Sequence, residues 1–154
     1  MIYSRDYILR MIQQLKRALG TILKLRQEEQ YEEALDTVGD TVDELLGHQA
    51  HFLDTMTTES VVRILDKWPK LKIYSALLAA EAEVLEARRT PEDLARAPRL
   101  RCRALEILLL GRDRGGRGDP ELLDRARELA ERVPLTDLSP SLQSLAQDLG
   151  LRAS

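Results

Sequence analysis

Residues Ser4 to Gly47 read SRDYILRMIQQLKRALGTILKLRQEEQYEEALDTVGDTVDELLG, and this stretch decides the fold. Ile8, Met11, Ile12, Leu15, Ala18, Leu19, Ile22 and Leu25 recur at steps of three and four, the spacing that puts apolar side chains on one face of a helix. Ser4 stands in front of this run as a cap. After the polar break Glu28-Glu29-Gln30 a second stripe follows, Tyr31, Ala34, Leu35, Val38, Val42, Leu45 and Leu46, and it ends at Gly47, which suits a left-handed helix end. A break this short leaves two amphipathic helices only one economical way to bury their stripes, which is to fold back on each other.

Working outward, the spacing predicts helices over the rest of the chain. Thr57 or Thr58 caps a short helix carrying Val61, Val62, Ile64, Leu65 and Trp68, which Pro69 is expected to terminate. A longer helix runs from Lys70 to about Arg88. Thr90-Pro91-Glu92-Asp93 has the cap, the proline and the first-turn acid of a helix start. Pro98 inside that segment predicts either a kink or a short helix ahead of a main one from Pro98 to Leu110. Gly111 to Gly118 reads as a flexible break, and Asp119-Pro120 and Ser139-Pro140 each open a further helix. His48 to Met56 is weakly patterned, a loop or a single turn. No segment alternates as a strand does. The expectation is a single all-α domain, residues 1-154, with about seven helices in antiparallel hairpins: an N-terminal hairpin (5-47), central helices (57-110) and C-terminal helices (119-150) after a Gly/Arg-rich linker (111-118).

Composition agrees with that class and narrows function by exclusion. The chain of 154 residues carries 23 Lys plus Arg against 26 Asp plus Glu, a net charge of −3, so bulk charge selects no nucleic-acid partner. One cysteine, Cys102, rules out an internal disulfide and a cysteine-based metal site. Arg5, Asp6, Arg10 and Lys16 interrupt the first apolar residues, so there is neither a secretory apolar core nor a run of about 20 apolar residues, and a cytoplasmic location is expected.

Tyr31-Glu32-Glu33-Ala34-Leu35 after its polar turn resembles the second-helix start of a tetratricopeptide repeat, and Ala79 to Ala87 leading through Thr90-Pro91-Glu92 to Ala104-Leu105-Glu106 is similar to a looser copy. Glu29 and Arg89 stand where such a turn has glycine, and the two units lie further apart than the usual period of about 34 residues. The resemblance implies stacked helical hairpins, a right-handed α-α superhelix or an irregular helical bundle. The N-terminal run Arg5-Asp6-Tyr7-Ile8-Leu9-Arg10-Met11-Ile12, with Tyr31 to Leu35 and Leu45-Leu46-Gly47, resembles a family of uncharacterised bacterial proteins, a domain of unknown function. That likeness implies the fold and brings no activity, cofactor or site residues.

Few residues could carry chemistry. His48 and His51, with Glu44 before and Asp54 after, would share a face on a continuous helix and suit a divalent metal or an acid/base site, although Gly47 interrupts that helix. The competing reading is a polar connector. Between Gln27 and Val62 there is no Lys or Arg, while Glu32, Asp36, Asp40 and Asp43 head a run of acids, read as a solvated helix face or as recognition of a basic partner. Arg96, Arg99, Arg101 and Arg103, with Arg112, Arg114 and Arg117, form the basic complement, able to pair carboxylates or phosphates. Aromatic residues for base stacking are not interleaved with them, so salt-sensitive self-association of the two stretches is at least as plausible as an Arg-mediated nucleic-acid binder. Arginines beside Cys102 could activate its thiol, against a structural role among apolar neighbours. Trp68, Tyr74 and Phe52 are expected in the core. The function expected from this pattern is a non-catalytic protein-interaction or scaffolding module without cofactor. The competitor is a small helical metal-binding protein or enzyme using His48 and His51.

Overall fold

The computed structural model describes residues 4–151, which form eight α-helices and no strand. The first two are α1 (Arg5–Gln27) and α2 (Tyr31–Leu46). Ser4 caps α1 by accepting the Tyr7 amide at 3.1 Å, and Gly47 closes α2 at φ 73°. The two helices run antiparallel, since Tyr7 and Arg10 of α1 share a cleft with Glu44 and Leu45 of α2.

Two short helices follow, α3 (Ala50–Asp54) and α4 (Thr58–Leu65), the latter capped by Thr57. The chain then turns at Asp66, φ 65°, and α5 (Trp68–Arg88) begins at Trp68 itself. Pro69 therefore opens a helix instead of ending one. Within a first turn its missing N–H leaves no hydrogen bond unmade. Next come α6 (Pro91–Gly111), α7 (Glu121–Ala130) and α8 (Pro140–Asp148). Pro98 sits inside α6, which continues unbroken on both sides of it, so there is one helix here and not a short one before a main one. The Thr90 hydroxyl and the Asp93 carboxylate form a reciprocal capping box at its start.

The centre of the molecule is α5. Eleven of its residues are buried, among them Leu71, Tyr74, Leu77, Leu78, Ala82 and Val84, so apolar side chains point all round it. A helix patterned this way has to be enclosed. It is covered by α6 along its whole length and by α2 and α1 on other sides. Ser75 bonds the carbonyl of Ala104, Glu81 pairs with Arg96, and Arg88 with Asp93, so α6 runs back antiparallel to α5. By contrast α1 and α7 run with α5. Arg26 at the end of α1 reaches Glu83, Lys72 reaches Asp119 just ahead of α7, and Arg132 just past α7 reaches Glu86.

The Gly111 to Gly118 stretch is a folded joint and not an open linker. Two short 3-10 turns, Arg112–Arg114 and Gly116–Gly118, wrap the buried face of Trp68. A Cβ on Gly111 would meet Trp68 Cζ3 at 2.7 Å, and one on Gly116 would meet the Gly111 carbonyl at 2.8 Å. Glycine is required there for close approach to the indole. Trp68 and Tyr74 lie in the core as expected, whereas Phe52 is 49% exposed and stacks on His48 with ring centroids 6.1 Å apart.

Candidate functional site

Adjoining clefts run along α5, bordered by α1 and α7, with Arg101 and Leu108 of α6 lining the one furthest from Trp68. The floor of this groove is the small-residue stripe Ala76, Ala79 and Ala80 of α5, of which Ala79 and Ala80 are half-exposed and Ala76 is buried. Ile8, Ile12, Leu19 and Leu23 of α1 form one wall, and Arg125, Glu128 and Leu129 of α7 the other. Three successive clefts of about 190, 290 and 270 Å³ share walls along this groove, and Arg125 borders all three. The apolar stripe of α1 is thus divided: Met11, Leu15 and Ile22 are buried in the core, while Ile8, Ile12 and Leu19 remain half-exposed along the groove.

The closed end of the groove has a fixed polar edge. Trp68 Nε1 donates to Asp119 Oδ2 at 2.9 Å, Lys72 Nζ donates to the same oxygen at 2.7 Å, and the Glu121 amide donates to Asp119 Oδ1 at 2.9 Å. Burial works against the Asp119 charge, yet the hydrogen bonds from Lys72 and Trp68 prevail and hold its carboxyl below the usual value. This carboxylate stays ionised and pins the indole, so that end of the groove is preformed.

On the far side of the molecule a polar cleft of about 360 Å³ gathers Asp54, Thr58, Arg96, Arg99, Arg103 and Glu106. Here residues from both the acidic and the arginine-rich stretches of sequence meet. Arg96 is held by Asp54 and Glu81, each at 3.2 Å. Arg103 donates through Nη1 to the Met56 carbonyl and through Nη2 to that of Leu53, both at 2.7 Å, and so ties α6 to the end of α3 and the turn after it. Burial raises the Glu81 and Glu106 carboxyls, and burial together with Asp54 raises the Tyr74 hydroxyl. Arg96 and Arg103 are thus tied to groups of the same chain, and Glu106 accepts the Thr58 hydroxyl.

The remaining sequence candidates separate. Arg101 is 5% exposed, forms a two-bond pair with Glu86 at 2.7 and 2.6 Å, and borders the cleft of about 270 Å³. Hydrogen bonds from Arg101, joined by Arg132, hold Glu86 below its ordinary value. Arg114 pairs with Asp66 and Arg117 with Asp113. Only Arg99 of the four arginines in α6 stays exposed without a salt bridge among the described residues. Much of the expected basic patch is therefore engaged within the chain, Arg96 and Arg101 by acids of α3 and α5 and Arg103 by backbone carbonyls, while Arg99 and Arg112 form no salt bridge among the described residues.

His48, His51, Glu44 and Asp54 do not converge. The left-handed Gly47 turns the chain between Glu44 and His48, and Asp54 is engaged by Arg96 and Tyr74. Among the described residues no group of three or more His, Cys, Asp or Glu stands close enough to hold a metal ion. Burial, with Glu106 and Asp137 adding, pushes the Cys102 thiol up to about 11, the opposite of the activation its arginine neighbours suggest in sequence.

Glu32, Asp36, Asp40 and Asp43 line the outside of α2, exposed, with no salt bridge among the described residues. Sequence reading did not find the groove. Its signal was the Ala76, Ala79, Ala80 spacing in a helix whose other faces are bulky. No helix of the described residues is long and apolar enough to cross a membrane. No family model, curated protein or solved structure matches this chain.

Proposed function

We propose that this chain is a non-catalytic protein-interaction module whose α1–α5–α7 groove receives an amphipathic helix. The observation that carries the reading is the half-exposed pair Ala79 and Ala80 on the floor of the groove, flanked by half-exposed aliphatic residues of α1. Small residues let a partner backbone approach closely, and half-exposed leucine and isoleucine side chains gain by being covered, at about 25 cal/mol per Å² of apolar surface removed from water. Three parallel helices bordering one groove also support the tetratricopeptide-like reading of the hairpins, in which the first helix of each pair lines the concave face. The enclosed pocket beside Trp68, about 190 Å³, is of a size for one bulky apolar anchor.

Trp68 is the single tryptophan and lines that pocket, so it reports occupancy directly. Helical peptides selected from a displayed library on the purified protein are expected to share apolar residues at three- and four-residue spacing and to shift Trp68 emission. Ala79→Arg, which places a charge on the groove floor, is expected to weaken their binding at least about tenfold. Selected peptides that lack such a stripe, or that bind Ala79→Arg as well as the parent, would overturn the reading.

A further inference from the structure

The outer face of the α1–α2 hairpin, on the side away from the groove, presents two rows of opposite charge that the chain leaves unpaired. On α1, Arg10, Arg17 and Lys24 are spaced seven apart, a step of about 10.5 Å that returns to nearly the same side of the helix. All three are exposed. On α2, Glu33, Asp36, Asp40, Asp43 and Glu44 fall within one arc opposite the buried Ala34, Val38, Thr41 and Leu45, and α2 carries no Lys or Arg. Arg10 and Glu44 border the same cleft of about 280 Å³, which places the two rows on one surface.

None of these eight side chains forms a salt bridge among the described residues, although the helices that bear them are packed together. The acidic row works against its own helix. Glu32 and Asp36, Asp36 and Asp40, and Asp40 and Glu44 are like-charged neighbours four apart, and Asp43 and Glu44 lie at the helix end where the backbone dipole disfavours anions. A cationic row laid over α2 removes both penalties.

We propose that this face pairs with the same face of a second copy, about a two-fold axis parallel to the hairpin. That operation exchanges the rows: α1 of one copy lies over α2 of the other, twice, in an isologous contact. Because the hairpin is antiparallel, with Arg10 level with Glu44, the same operation sets Arg10 against Glu44 of the other copy, Arg17 against Asp36 and Asp40, and Lys24 against Glu33. A two-fold axis across the hairpin would instead oppose like charges, so the charge pattern fixes the orientation as well as the partner. This contact leaves the groove open and does not depend on what occupies it.

Sedimentation of the full chain tests the pairing. The parent protein is expected to be a dimer at low ionic strength and to dissociate as salt is raised. Changing Arg10, Arg17 and Lys24 together to Glu, or Asp36, Asp40 and Glu44 together to Lys, is expected to give a folded monomer at low salt in each case, with far-UV circular dichroism unchanged. Mixing the two variants restores a dimer, because each then supplies the row the other has reversed. The single change Arg17→Glu, at an exposed position, weakens self-association at least about tenfold and keeps the test independent of either triple variant. A parent monomer at low salt, a charge-reversed variant that remains dimeric, or a mixture that stays monomeric would each overturn the proposal.

Discussion

Glu29 and Arg89 hold the left-handed backbone that a helix end favours in glycine, at φ 61° and 67°. A side chain in that region costs about 1 kcal/mol or more, offset where glycine would lose entropy on folding. Glu29→Gly and Arg89→Gly are therefore each expected to raise stability, by up to about 1 kcal/mol, read as a higher urea midpoint. The sequence pointed at both positions, because each stands between two helical stripes where a turn is needed. What it could not tell was the fate of the arginines. Arg96, Arg101 and Arg103 look alike in the chain, yet one bridges two carboxylates, one lies buried on Glu86, and one ties α6 to the end of α3 and the turn after it through two carbonyls. Guanidinium groups declare a charge, and only their neighbours in space decide whether it faces solvent.

Among the elements, the start of α6 shows how a local motif becomes a tertiary one. Thr90 caps the helix as expected from the sequence, Asp93 returns the bond to the Thr90 amide, and Asp93 also receives two hydrogen bonds from Arg88 of α5 at 2.7 and 2.8 Å. Chiefly through Arg88, its carboxyl falls from 3.8 to about 2. A carboxyl whose folded value is depressed contributes its full stability above the unfolded value and loses it as pH falls through the folded one. Asp93→Ala is expected to cost about 1–3 kcal/mol at neutral pH, and the gap between parent and variant to close as pH falls from about 4 to about 2, measured by urea unfolding at each pH. The same scale reorders the molecule. Ser4 to Gly47 has the clearest pattern because α1 and α2 each keep a solvent face, whereas α5, enclosed nearly all round, has no periodic contrast to display. Amphipathicity marks helices at the periphery and is silent about the one at the centre.

For the whole molecule the joint at 111–118 is decisive. Read as sequence it is a glycine-rich separator; in the fold it presses on Trp68 and connects the start of α5 to the end of α6 and the start of α7. The buried side chains form one cluster from Met11 to Leu151, so the helices are expected to unfold together. Gly116→Ala, which drives a methyl into the Gly111 carbonyl and the Leu122 side chain, is expected to cost about 1–3 kcal/mol and to lower the midpoints seen by Trp68 fluorescence and by circular dichroism equally. Two separate transitions would show that the joint divides the chain into independent parts.

The sequence by itself determined the helical class, the hairpin of α1 and α2, most caps, and the acidic face of α2, because these depend on periodicity and on contacts within a few residues. Only the tertiary structure decided which helix lies at the centre, that Pro69 begins α5, that the glycines form a packed joint, and that Arg96, Arg101 and Arg103 of α6 are used internally. It also split the α1 stripe between core and groove and put the cations of α1 beside the acids of α2. Each of those outcomes is set by partners distant in sequence, through packing volume and charge pairing that no local pattern records.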